Sequence, residues 1–288
     1  MYSVQVIMTR RGFTLIELLV GLVLTGIVSA AIYQLLVNNQ RLYREQAQRI
    51  ELNDNLRSAV AILPAELREL STIDAAGSDI IAMNDSTLRY KAMRSFYTVC
   101  SPLAIGSTLS LNPMIAGLRP LAPSRDSVLI FADGKSTDAR DDRWIRANVL
   151  SVTSGTNCSG GPSVDVTLGG VTLGVLDSVV RGSPVRGFEV VEFLVYEDAY
   201  RARWLGMRQY SKGGTAGTPQ PLLGPLEPGG FKFTYYNAAG NPTADRSQVV
   251  RIGIRVIGRT QQRVRTAGGG MDYVVDTLST QVALRNSR

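Results

Sequence analysis

Histidine is absent from the chain, which removes the commonest general base, the Ser-His and Cys-His nucleophile pairs and most zinc sites. Cysteine occurs twice, so a four-thiolate cluster is excluded and at most one intrachain disulfide can form. Lysine is confined to Lys91, Lys135, Lys212 and Lys232. The other basic residues are all Arg, which suits planar ion pairs or reflects a GC-rich genome. No G-x-S-x-G or S-x-x-K arrangement sets up a nucleophile. These absences lean away from an enzyme and from any cofactor or metal site.

Apolar residues make up 44% of the 288 and charged residues 19%, a globular composition rather than a disordered one. The length fits one large domain, or a medium domain with an appendage. The net charge is +7 and the pI about 9.6, which permits nucleic acid or anionic lipid as a partner without demanding either.

The front of the chain is the most informative part. An apolar run extends from Phe13 to Val37. About 25 residues at about 1.5 Å each cross a bilayer core of about 30 Å with some tilt. Arg10 and Arg11 precede the run and favour a cytoplasmic N-terminus; Arg41, Arg44 and Arg49 beyond it weaken that signal, although Glu45 and Glu51 accompany them. Glu17 is out of place, since a central acid costs roughly 2.5–3.5 kcal/mol on insertion scales. It calls for snorkelling to the headgroups or for a partner.

Several processing signals compete for this segment. A plain uncleaved anchor is one. A secretory cut after Val28-Ser29-Ala30 is another, but the helical pattern runs through it. Thr9-Arg10-Arg11-Gly12-Phe13 fits the start of a twin-Arg signal, although no cofactor ligands accompany it.

The run Arg10-Arg11-Gly12-Phe13-Thr14-Leu15-Ile16-Glu17-Leu18-Leu19-Val20 accounts for every residue. It resembles the prepilin-type cleavage and methylation motif of type IV pilins and type II secretion pseudopilins. The resemblance covers about the first 30 residues. It implies a cut between Gly12 and Phe13 by a membrane prepilin peptidase/N-methyltransferase, methylation of Phe13, and use of Glu17 in subunit assembly. The partners implied are other pilin or pseudopilin subunits, the inner membrane and its assembly platform. The implied location is single-pass in the inner membrane with a periplasmic head, then in a pilus or pseudopilus. Physical chemistry agrees: Gly12 suits a narrow peptidase subsite, and a neighbour's free amine can neutralise Glu17 in an apolar filament core.

Beyond Val37 the pattern turns amphipathic. Leu56, Val60, Leu63, Leu67 and Leu70 mark one face, opposite Arg49, Asp54, Arg57, Glu66, Arg68 and Glu69. One helix is expected from about Thr14 to about Leu70, bent or ended by Pro64. From about residue 78 short apolar runs alternate with turn residues. Strands are predicted at Thr87–Lys91, Phe96–Cys100, Ser127–Phe131, Trp144–Thr153, Ser163–Leu168, Phe188–Tyr196, Arg203–Gln209, Phe231–Tyr236, Val249–Gly258 and Asp272–Leu284. Ser211–Gly230, rich in Gly and Pro, is expected to be an exposed loop. The fold class is therefore α+β, a long N-terminal helix packed on an antiparallel β-sheet domain. The divisions are a leader at 1–12, a membrane or filament-core helix at 13–37, an amphipathic continuation at 38–72 and a β-rich head at 73–288.

Within Val249–Arg259, Val250, Ile252, Ile254 and Val256 alternate with Arg251, Arg255 and Arg259, the pattern of a half-buried strand with a wet, basic face. With Arg263 and Arg265 this cluster offers a contact for nucleic acid or another surface. Gly229–Asn237, the Arg strand and the closing Val282-Ala283-Leu284-Arg285-Asn286 are similar to larger minor pilins of the W type; J-type minor pseudopilins share that layout.

Two tempting motifs fail. Gly134-Lys135-Ser136 lacks the Gly that a phosphate loop needs five residues earlier, where Leu129 stands. Asp133, Asp138, Asp141 and Asp142 lack calcium-loop spacing and are diluted by Lys135, Arg140 and Arg143. Given export to an oxidising periplasm, Cys100 and Cys158 are expected to pair, two separate thiols being the alternative. The chain therefore reads as a structural minor subunit of a type IV pilus or related filament, with a priming or tip role. The alternatives are a minor pseudopilin of a type II secretion system and a DNA-binding or adhesive minor pilin.

Overall fold

Thr14 sets the start of a long helix. Its backbone is extended, and the helix α1 runs from Leu15 to Leu67. A computed structural model describes residues 12–72, 77–101, 107–133, 142–171, 178–266 and 269–285. The helix passes through Pro64 and stops one turn later, so the expected end near Leu70 is three residues too long. Pro64 offers no N–H to the preceding turn, but its carbonyl still accepts the Arg68 N–H at 3.0 Å.

Only the C-terminal part of α1 is packed. Leu52, Leu56, Ala59, Leu63 and Leu67 are buried, whereas Leu18, Leu22, Ile32 and Leu36 are each more than half exposed. The stripe thus begins one turn earlier than expected and passes through Ala59 rather than the half-buried Val60.

Fourteen strands follow among the described residues: β1 (Ile80–Met83), β2 (Thr87–Ser101), β3 (Thr108–Leu111), β4 (Ala116–Gly117), β5 (Ser127–Ala132), β6 (Arg143–Cys158), β7 (Gly161–Gly169), β8 (Pro184–Glu197), β9 (Arg203–Tyr210), β10 (Gln220–Tyr236), β11 (Arg251–Arg259), β12 (Val264–Arg265), β13 (Met271–Asp272) and β14 (Val275–Ala283). All their pairings are antiparallel, as expected when strands follow a helix rather than alternate with helices. The calcium-like acids Asp138 and Asp141 and the Gly134-Lys135-Ser136 run lie outside the described residues.

The pairings resolve into two units that share β2 and β8. One is an open sheet, β1-β2-β8-β9-β10-β11-β14, against which α1 packs. The other closes on itself: β2 pairs β3, β3 pairs β7, then β6, β5, β8 and back to β2. Each unit has its own apolar core. Leu88, Tyr90, Val191 and Phe193 join the helix leucines, while Tyr97, Val99, Ile130 and Val185 fill the six-stranded ring.

β2 serves both because its register shifts between Met93 and Ser95. Even-numbered residues face the helix before the shift, and odd-numbered residues face the ring after it. Arg94 stands at the shift and donates to Glu189 at 2.6 Å and to Glu66 of α1 at 3.1 Å. Arg119 joins Glu189 at 3.0 Å and Asp126 at 2.6 Å. Burial works against the Arg94 charge, but the hydrogen bond to Glu189 and the charges of Glu66 and Glu189 more than offset it and hold its proton more firmly than usual.

This cluster corrects the expectation of two separate strands at Thr87–Lys91 and Phe96–Cys100. The expected gap at 92–95 includes Arg94, yet Lys91 and Arg94 are both buried in one continuous strand, where each meets an acid, Lys91 at Asp79 and Arg94 at Glu189. A second correction concerns Ser211–Gly230. Gln220–Gly230 belongs to β10, pairs with β9 and buries Leu223 and Leu226. Register shifts on either side of Leu223 and before Phe231 accommodate Pro221, Pro225 and Pro228. A third concerns Asp272–Leu284, which divides into β13 and β14.

Gly258 of β11 forms the notch that receives the helix. A Cβ there would lie 2.8 Å from Leu52 Cδ1 and 3.3 Å from Leu56 Cδ2. Gly258→Val is therefore expected to lift α1 and to cost about 1–3 kcal/mol of stability. Urea unfolding of the full chain in detergent reads this; an unchanged midpoint would mean that the leucines repack without strain.

Candidate functional site

The segment Gly12–Glu17 is held by its own hydrogen bonds. Thr14 is the N-cap, and its hydroxyl oxygen accepts the Glu17 N–H at 3.3 Å. Glu17 reaches back: its Oε2 accepts the Thr14 N–H at 3.0 Å and the Thr14 hydroxyl proton at 2.9 Å. This reciprocal arrangement satisfies two donors that a helix start leaves without partners. Among the described residues no hydrogen bond reaches Glu17 Oε1. The pair is legible as Thr-x-x-Glu before an apolar run, a spacing that the membrane-cost argument for Glu17 overlooks.

Phe13 lies before the cap, outside the helix, and is 88% exposed. Gly12 has open space where a Cβ would stand. The Gly12–Phe13 bond is therefore accessible, one residue ahead of an ordered helix start. Farther along, the Thr25 hydroxyl donates to the Gly21 carbonyl at 2.8 Å, which satisfies that polar side chain within an apolar stretch. The helix is long and apolar enough to cross a membrane by length and composition.

The other candidate residues lie elsewhere. Cys100 and Cys158 form a disulfide with Cα atoms 5.2 Å apart, joining the end of β2 to the end of β6. The Arg residues of β11 differ from one another. Arg251 is half-buried with its guanidinium 4.8 Å from the Tyr236 ring centre. Arg259 lies 4.5 Å from the Tyr273 ring centre and 3.9 Å from Glu227. Arg255 is exposed, across from Lys232. The wet face of β11 thus narrows to Arg255, while the two flanking guanidinium groups stack on tyrosines. Tyr236 is the cross-strand partner of Arg251, a neighbour visible only once the β10–β11 register is known.

Residues 7–33 match the family model of the prokaryotic N-terminal methylation motif. Its N-terminal segment carries the prepilin-type motif, which supports a type IV pilin-like chain. No curated protein and no solved structure matches it. The matched segment holds Gly12, Phe13, Thr14 and Glu17 together with most of the exposed half of α1. The motif supports a pilin-like or pseudopilin-type subunit, which points to a structural role, processing by prepilin peptidase and assembly with other such subunits.

The disulfide spans 58 residues of sequence, a loop whose closure contributes about 4 kcal/mol in the chain-entropy account. Cys100→Ser with Cys158→Ser is expected to lower unfolding stability by that order and to speed amide exchange in β6 and β7. An unaltered midpoint would show that strand pairing alone closes the ring.

Proposed function

We propose that the chain is a minor structural subunit of a type IV pilus or a related filament, cut after Gly12, methylated on Phe13 and assembled through α1. The observation that carries this reading is the division of α1. From Leu52 to Leu67 one face of it is buried against the head, while its apolar N-terminal part is left uncovered behind the Gly12–Phe13 junction. A half-helix of that kind needs another apolar surrounding, first lipid and then neighbouring helices.

On this reading residues 1–12 are the leader, 13–37 the membrane and filament-core helix, 38–72 the continuation into the head, and 73–288 the periplasmic or extracellular head. The cap survives cleavage, because Thr14 and Glu17 both follow the cut. Glu17 Oε1 is then available to a neighbour's Phe13 amine. A head with two cores is large for a subunit repeated along a shaft, which favours a low-copy priming or tip position. Intact mass of the exported protein is expected to show loss of residues 1–12 and gain of one methyl group. A chain beginning after Ala30 would overturn the reading.

Glu17→Ala tests the assembly step. The variant is expected to be cleaved and inserted normally, since removal of an acid favours insertion. Its recovery in sheared filaments should fall at least about tenfold, the loss of roughly 1.4 kcal/mol or more of pairing. Wild-type incorporation of a cleaved, stable variant would leave apolar helix packing as the whole basis of recruitment.

A further inference from the structure

The open sheet has two edges, and they are finished differently. At one edge β1 has four residues, its pairing with β2 shifts between Ile80 and Ala82, and the Arg246 guanidinium donates to the Ile81 carbonyl at 2.7 Å. Shortness, a bulge and a charged cap are devices that keep a sheet edge from pairing further. At the other edge β14 has nine residues, Val-Asp-Thr-Leu-Ser-Thr-Gln-Val-Ala, and pairs with β11 in unbroken register. It contains no Pro, Gly, Lys or Arg.

The flanking hydrogen bonds fix which way β14 faces. The Thr260 N–H donates to the Val274 carbonyl, and the Leu284 N–H donates to the Val250 carbonyl. Even-numbered residues therefore bond to β11, and odd-numbered residues turn their backbone groups outward. Near either end an outward donor is already used: the Thr277 N–H donates to Asp276 at 2.7 Å, and the Arg285 N–H donates to the Arg68 carbonyl at 2.9 Å. Between them, among the described residues, the N–H and C=O groups of Ser279, Gln281 and Ala283 have no partner on the outer side. All three residues are exposed. Such a row of donors and acceptors is the template to which an extended segment adds.

The side chains around the edge define that segment. Ser279 lies beside Arg255, Gln281 beside Gly253 and Ala283 beside Arg251. Arg255 is exposed and makes no ion pair or ring contact among the described residues. An added strand would lie two strand spacings from β11, about 10 Å, and the short Ser279 leaves Arg255 a clear path to an acid there. On the opposite face Leu278 and Val282 belong to the apolar layer under α1. The complementary segment alternates acidic with apolar residues.

A second copy does not supply it. β14 offers no acid on the Arg255 face, and β1 has none at all. Helix direction adds a restriction. Leu52 and Leu56 sit over Gly258, the partner of Asp276, and Arg68 meets Arg285, so α1 and β14 run the same way. Antiparallel pairing of two β14 edges would aim the uncovered parts of α1 in opposite directions, which one bilayer does not accommodate. That step alone rests on the reading of residues 13–37 as a membrane span.

We propose that the outer edge of β14 is a docking site for an extended segment of a different protein with carboxylates on alternate residues. The segment adds to the open sheet at Ser279–Ala283 and sets an acid against Arg255.

The full chain in detergent micelles, with its disulfide oxidised, is panned against a display library of random nine-residue peptides. Enriched peptides are expected to carry Asp or Glu at alternate positions and to slow amide exchange at Ser279, Gln281 and Ala283. Ser279→Pro removes an outward donor and no bond to β11, so the unfolding midpoint should hold while peptide binding weakens at least about tenfold. Arg255→Glu should turn the selection toward Lys and Arg, which keeps the test decisive if the proline variant does not fold. No enrichment, or peptides whose binding ignores both substitutions, would overturn the site. Peptides that keep their acids against Arg255→Glu would overturn the acidic class of partner. Self-association of the chain that Ser279→Pro abolishes would overturn the proposal in favour of a second copy. A mature chain that begins elsewhere than Phe13 would overturn the filament reading only, because this edge lies wholly in the head and is decided by the peptides.

Discussion

The seating of the helix leucines over Gly258 governs the rest of the molecule. Leu52, Leu56, Leu63 and Leu67 lie on one stripe, and burying each is worth about 1.5–3 kcal/mol. That energy is available only where the stripe faces β10, β11 and β14, so the helix axis is fixed against the sheet. Once the axis is fixed, the flanking polar residues of α1 meet defined partners. Glu66 meets Arg94, Glu69 meets Arg285 at 3.2 Å, and Glu51 meets Gln261. The uncovered half of the helix then projects as a direct continuation of a rigid, docked element.

β2 and β8 impose the second constraint, because each contributes to two cores. A strand that serves a helix-covered sheet at one end and a closed ring at the other must turn its side chains at the boundary. The shift at Met93–Ser95 does this, and the charge cluster fixes where it occurs. Arg94, Glu189 and Asp126 are almost fully buried. Loss of one partner from such a pair costs about 3–5 kcal/mol, so a slipped register would leave buried charges without partners. The same cluster ties the last turn of α1 to the ring through Glu66, Arg94, Glu189 and Arg119, and so couples the two units mechanically.

The parts that were legible in the sequence are those set by local pattern. The apolar run, its Arg-Arg-Gly-Phe entry, the α+β order and most strand centres follow from period and composition. The illegible parts depend on partners distant in sequence. Arg94 falls in the expected gap between two strands until Glu66 and Glu189 are placed beside it. Pro221, Pro225 and Pro228 look like a loop until irregular pairing with β9 and β11 accommodates them. Arg251 and Arg259 look wet until Tyr236 and Tyr273 are brought under them. Ala59 takes the place expected of Val60 because the docked helix face is set by the sheet, not by the most apolar alternation in the helix. The Thr14–Glu17 cap is different in kind, since its spacing is local and was open to reading.

That cap bears on how an acid can reside in the span. An isolated carboxylate in hydrocarbon has no donors, but Glu17 has two from Thr14, and one of them is a backbone N–H that would otherwise lack a partner itself. Burying Glu17 with Thr14 therefore satisfies groups on both sides. Its position in the first turn also sets it at the positive end of the helix, which favours the charge. On the proposed reading, a subunit waiting in the membrane has a locally stabilised acid rather than an orphaned one. Both cap bonds use Oε2, so a neighbour's amine can approach Oε1 without first breaking the helix start. Assembly then adds an ion pair to an existing cap instead of exchanging one for the other. The gain from pairing is not reduced by the loss of the cap, and the helix enters the filament with its first turn already formed.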